Sequence, residues 1–170
     1  MDGRRGKASS SRSALYTADQ RRRRDGTVWT LVQGVLAPLQ FLVCLVSAAL
    51  VVWSLRTGEM VAVAHASVLV KTVFLLAIMI TGSIWEKVVF DRWLFAPAFF
   101  WEDVVSFGVI ALHLAYVLAL FGGWLSDNAL FALALTAYAA YAVNAGQFLL
   151  KLRAARRDDA ANTVPEGAVA

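Results

Sequence analysis

An all-α polytopic membrane protein, a bundle of four transmembrane helices, is the fold class this sequence predicts, and three observations predict it. Of the 170 residues 59% are hydrophobic and only 16% charged, with a mean hydropathy of +0.62, whereas a soluble domain needs roughly a quarter of its residues charged. The charges keep to the ends: eight of the sixteen Lys and Arg lie in the first 24 residues and four more in the last twenty. Between these ends run four apolar stretches, each long enough to cross a hydrocarbon core of about 30 Å. A soluble enzyme, a coiled coil and a wholly disordered chain are excluded, and the net charge of +4 belongs to the tails.

Residues 1–26, rich in Arg, Ser, Asp and Gly, are expected to form a disordered basic tail or to lie along the membrane surface. The run Arg21-Arg22-Arg23-Arg24 abuts an apolar segment, so anionic lipid headgroups are its expected partner and nucleic acid is not. The transmembrane domain, residues 27–153, starts with a span over about 28–55, too long for the core of a cleaved signal peptide, with Pro38 as a candidate kink. The second span covers about 61–90 and ends at Trp85-Glu86-Lys87 near an interface. The third covers about 99–121, and a Gly122-Gly123 turn leads to the fourth, about 128–152. Residues 154–170 are expected to be a disordered tail. The one cysteine, Cys44, forms no internal disulfide.

Four spans put both termini on one side. Fourteen Lys and Arg fall in the termini and the 2–3 loop, against Arg56 alone in the outer turns and Lys71 inside span two. Short loops rich in Lys and Arg stay in the cytoplasm, so both termini are expected there.

Ionisable groups within spans are costly and therefore mark sites. Lys71, His65 and His113 are the embedded candidates, and the 2–3 connection gathers Glu86, Asp91, Glu102 and Asp103 among Trp85, Phe90, Trp93, Phe95, Phe99, Phe100 and Trp101. One reading of this cluster is an interfacial aromatic belt with snorkelling charges, with Arg92–Asp91 or Lys87–Glu86 as simple pairs. The other is an acid–base site. Glu102, Ser106 and His113 share one helix face, and apolar surroundings favour the neutral carboxyl that a general acid needs. Glu102 is the expected proton donor, with Asp103 or Glu86 ionised beside it. Tyr138, Tyr141, Asn144 and Gln147 advance by three residues along span four, and Gln33 and Gln40 share a face of span one. These polar groups are either interhelical hydrogen bonds or a pocket lining. A pocket opening at the cytoplasmic half is expected to unite Glu86, Trp101, Glu102, Asp103, Asn144 and Gln147. Zinc, Gly-rich phosphate, catalytic-triad and di-metal patterns are absent, so no metal site is expected.

Several long strings carry a resemblance: the stretch Tyr16 to Asp25; Trp29-Thr30-Leu31-Val32-Gln33-Gly34 through Pro38; Ile80-Thr81-Gly82-Ser83-Ile84-Trp85-Glu86-Lys87; Leu94-Phe95-Ala96-Pro97 through Asp103; and Tyr138 through Arg153. Over about residues 14–157 the chain resembles the 3-vinyl (older name 2-vinyl) bacteriochlorophyllide hydratase family. The resemblance implies a hydro-lyase that adds water to the C3 vinyl group of a chlorophyllide or bacteriochlorophyllide, giving a 1-hydroxyethyl group in bacteriochlorophyll a biosynthesis. It implies no resident cofactor, since the magnesium belongs to the substrate, with His113 as a possible axial ligand. It also implies a bacterial inner, intracytoplasmic membrane and neighbouring pigment-biosynthesis enzymes as partners. It assigns no residue a role. From the chemistry, Glu102, Asp103 and Glu86 are the catalytic candidates. Trp85, Trp101, Phe99, Phe100, His113, Lys71, Tyr141, Asn144 and Gln147 are the substrate-binding ones, since flat rings stack on a macrocycle. The competing reading is a non-catalytic pigment carrier or assembly factor; a proton-coupled transporter is disfavoured because only Lys71 is deep.

Overall fold

The computed structural model describes residues 15–162, with side-chain surroundings for 15–157. Five helices follow in order: α1 (Ala18–Gly26), α2 (Val28–Thr57), α3 (Val61–Phe90), α4 (Phe100–Gly122) and α5 (Asp127–Asn162). The last four are long and apolar enough to cross a membrane, and their limits lie within a few residues of the predicted spans, apart from the far end of α5. α2 packs on α3, α3 on α4, α4 on α5 and α5 back on α2, which closes a four-helix ring; α1 leans on α3.

Two expectations about the tails are corrected. Residues 18–26, expected without structure, form α1, because Thr17 and Gln20 make a reciprocal capping box. Asp19 in the first turn and Arg23 and Arg24 in the last complement the helix dipole. Tyr16 anchors it, buried and stacked on Phe90 at 5.7 Å, with the Arg24 guanidinium 4.7 Å from its ring centre. At the other end α5 runs past residue 153 to Asn162, as its Ala, Leu, Lys and Arg favour helix, and Ala155 is buried with Tyr16, Val89 and Phe99. The remainder of both expected tails, 1–14 and 163–170, lies outside the described residues.

α2 continues as one helix through Pro38 and ends at Gly58, whose φ of 72° suits a left-handed cap that a Cβ would strain. Gly123 closes α4 in the same way at φ 64°. Large apolar side chains such as Leu31, Leu42, Val46, Leu118 and Phe121 face outward, whereas Gln40, Ser47, Lys71, His113 and Asn144 are buried. That inversion of the soluble pattern fits a lipid surround. The interior is stitched by interhelical hydrogen bonds: Ser47 Oγ lies 2.7 Å from Ser67 Oγ and 2.6 Å from the Tyr138 hydroxyl, and Gln33 Nε2 donates to Thr81 Oγ1 at 2.7 Å. α1, the α3–α4 connection and the C-terminal part of α5 share one end of the bundle, called the basic end below.

Candidate active site

At the basic end three carboxyls turn inward. Glu86 comes from the last turn of α3; Glu102 and Asp103 come from the first turn of α4, where acidic groups favour the helix dipole. All three are buried. Lys87 does not pair with Glu86 as one reading expected: it binds Asp91 at 2.6 Å, on the exposed side, and holds that carboxyl below its ordinary range. Glu86 is thereby left to the interior.

The Glu86 and Asp103 carboxyls are brought together by the connecting loop, whose adjacent residues Phe95 and Ala96 bind one each. Two ionised carboxylates have only acceptors, so a bond between them requires one shared proton. The connecting loop supplies the remaining partners: Phe95 N–H donates to Asp103 Oδ2 at 2.7 Å and Ala96 N–H to Glu86 Oε2 at 3.1 Å. Phe95 holds a left-handed φ of 57°, a conformation that costs a bulky residue free energy. Its neighbour Ala96 is wholly buried.

Glu102 differs. Lys151 Nζ of α5 donates to its Oε2 at 2.6 Å, an ion pair that the expectation of Glu102 as proton donor did not include. One turn along α4, Ser106 Oγ accepts from Asn144 Nδ2 at 2.7 Å.

Around the carboxyls the predicted rings divide into two sets. Trp85, Phe90 and Phe99 pack edge to face within 6 Å, and Phe99 stacks on Phe148 at 5.8 Å. Trp85 Nε1 donates to Thr30 Oγ1 at 2.9 Å. Phe100 and Trp101 instead face outward, Trp101 with 69% of its surface exposed, so Trp101 does not join the carboxyls as expected. They form a second platform with Phe95 and Phe107, whose rings stack at 5.5 Å. Phe95 joins the two, since its ring lies on the platform and its amide holds Asp103.

His113, Lys71 and Tyr141 sit elsewhere. His113 lies eleven residues beyond Glu102, roughly 16 Å along the helix axis, with Nδ1 donating to Val109 O at 2.8 Å. Lys71 Nζ lies 4.1 Å from the centre of the Tyr141 ring. Asn144 is buried and Gln147 half-buried between that layer and the carboxyls. A groove of about 770 Å³ is lined by Asp19, Arg22, Arg23, Gly26, Thr27, Val28 and Val88, and Glu86, Glu102 and Asp103 do not line it. Sequence reasoning missed Lys151 as a site residue, together with Phe148 and the two loop amides. The signal for Lys151 was its spacing: it follows Asn144 by seven residues and Gln147 by four, on one face of α5.

Comparison with known proteins adds the chemistry. The family model for 2-vinyl bacteriochlorophyllide hydratase matches residues 16–154. A protein of that name from Cereibacter sphaeroides is 65% identical over 144 residues, 85% of this chain and 89% of the relative. Another from Rhodobacter capsulatus is 64% identical over 146 residues, 86% of this chain and 85% of the relative. No solved structure matches.

Proposed function

The chain belongs to the 2-vinyl bacteriochlorophyllide hydratase family, and from that premise we propose how it adds water to the C3 vinyl group of a chlorophyllide or bacteriochlorophyllide. The product is the 1-hydroxyethyl compound, a step of bacteriochlorophyll synthesis. One observation carries the catalytic assignment: Glu86 and Asp103, from different helices, are both buried in an aromatic shell and are held by adjacent amides of the connecting loop, an arrangement in which two carboxyls can share one proton.

The pair gives its proton to the terminal vinyl carbon. The vinyl π electrons form the new C–H bond, and the cation left on the inner carbon is spread into the macrocycle. The two carboxylates, now both charged, lie close to that cation and stabilise it. Water attacks the inner carbon and returns one proton to the pair, so the acid is regenerated and the net change is vinyl plus water to hydroxyethyl. Acid–base groups suffice, so this reading includes no resident cofactor. Glu102 adds fixed negative charge through its pair with Lys151.

The macrocycle rests on Phe95, Phe100, Trp101 and Phe107, whose exposure at the basic end suits a flat apolar substrate arriving from the membrane interface. Trp85 and Phe99 keep the carboxyls dry from behind. The exposed platform favours this placement over His113, which is buried in the bundle. Neighbouring pigment-forming enzymes are proposed as partners, and the bacterial inner membrane as the location. Purified protein given 3-vinyl pigment is expected to yield the hydroxyethyl product; a shift in pigment absorption without product would establish a carrier.

The basic end is proposed to face the cytoplasm, because Lys and Arg of the termini and the 2–3 loop gather there. A reporter active only outside the cytoplasm, fused after Ala170, is expected to stay silent, whereas the same reporter inserted at Glu59 is expected to be active. The reverse pattern would invert the topology.

A further inference from the structure

Five buried side-chain atoms lack a hydrogen-bond partner along the bundle axis: Gln40 Oε1, Lys71 Nζ, His113 Nε2, Asn144 Oδ1 and Gln147 Oε1. All four spanning helices contribute at least one, and Gln40, Lys71 and His113 are at most 1% exposed. The layers interlock. The Lys71 amine sits over the Tyr141 ring, and the His113 ring lies 5.8 Å from that of Tyr138, one turn before Tyr141. Asn144 and Gln147 follow Tyr141 at successive turns of α5, and Lys151, bonded to Glu102, lies one further turn on. Polar groups thus recur at each turn of α5 from mid-bundle to Glu102.

Their chemistry selects a ligand. Of these five atoms Lys71 Nζ is the donor, and the amide oxygens of Gln40, Asn144 and Gln147 and the His113 Nε2 lone pair are acceptors, since His113 Nδ1 already donates to Val109 O. Four acceptors repel an anion. Water, with two donating protons and lone pairs for Lys71, satisfies the set, and buried waters typically make about three such bonds.

We infer that these buried groups bind a file of water reaching from Lys71 past Asn144 and Gln147 to the carboxyls, and that the file delivers the water consumed when the macrocycle covers the basic end. The delivery role rests on the hydratase reading; the water site does not. An apolar substrate seated on the ring platform excludes bulk solvent at the moment a water is needed, and the file supplies it from behind.

X-ray radiolytic footprinting of the full chain in nanodiscs tests the water site without substrate. Hydroxyl radicals born from bound water mark adjacent side chains, so Cys44 and Tyr141, both largely buried, are expected to be oxidised, and Lys71→Met is expected to suppress that oxidation. Unmodified Cys44 and Tyr141 beside oxidised interfacial Trp93 and Trp124 would overturn the proposal. Delivery is read separately. Lys71→Met and Gln40→Leu, each introducing an apolar side chain of similar size, are expected to lower kcat roughly tenfold with KM unchanged and to leave the fold intact by circular dichroism. A merely structural role would lower kcat only together with loss of the helical fold. Wild-type kcat in both variants would overturn delivery. Absence of hydroxyethyl product from the wild-type protein would defeat the hydratase reading and leave the footprint to decide the water site.

Discussion

Glu86→Gln and Asp103→Asn are each expected to lower the hydration rate about 10²–10⁴-fold, the usual loss when a general acid or base is removed, with KM little changed. Each variant keeps the shape and one carbonyl oxygen, so Ala96 N–H and Phe95 N–H retain their acceptors and the loop stays in place. What is lost is the proton shared across the helix interface. Both variants should fail by similar factors, because the two carboxyls act as one unit and neither alone can alternate between donor and acceptor. Glu102→Gln is expected to be much milder, since its anion, held by Lys151 at 2.6 Å, supplies field rather than a proton. Measured kcat and KM for the three variants separate the cases. Near-normal rates in Glu86→Gln and Asp103→Asn with a collapse in Glu102→Gln would return the acid role to Glu102.

The spans were legible because hydropathy over twenty residues is a property of composition, and crossing hydrocarbon leaves backbone groups no other partners. α1 was missed although its signature is printed in the chain: Thr17 and Gln20 have the spacing of a capping box. The density of Arg beside it outweighed that signal. For α5 the reading stopped where apolar residues thin out, at 152, although Ala and Arg are good helix formers and Ala155 has a burial site against Tyr16 and Phe99.

For the site, the face shared by Glu102, Ser106 and His113 was correct, and all three are buried. What the face packs against was not readable. Glu102 meets Lys151 across 49 positions and Gln33 meets Thr81 across 48, and such contacts depend on how each helix rotates about its axis. Trp101 shows the same limit: adjacent to Glu102 in sequence, it is turned about 100° around the helix and so faces outward. The loop amides were invisible for another reason, since Phe95 adopts a φ of 57° that its residue type disfavours.

Lys151→Met is expected to destabilise the bundle by about 3 kcal/mol, the lower part of the range for stripping a buried charge of its partner. Glu102 is only 7% exposed, and among the described residues Lys151 is the cation paired with its carboxylate, so the substitution strips that buried charge of its described partner. Lys151 also lies 5.1 Å from the centre of the Phe99 ring, so its loss loosens the aromatic wall that keeps Glu86 and Asp103 dry. The decisive comparison is the double variant Lys151→Met with Glu102→Gln. If the cost arises from an orphaned charge, removing that charge should restore most of the lost stability, and thermal melts of the two single variants and the double one close the cycle. Additive losses would show that Lys151 and Glu102 contribute independently of each other. Activity should follow a different order: the double variant regains stability but lacks the fixed negative charge beside the cation, so its kcat should stay below wild type.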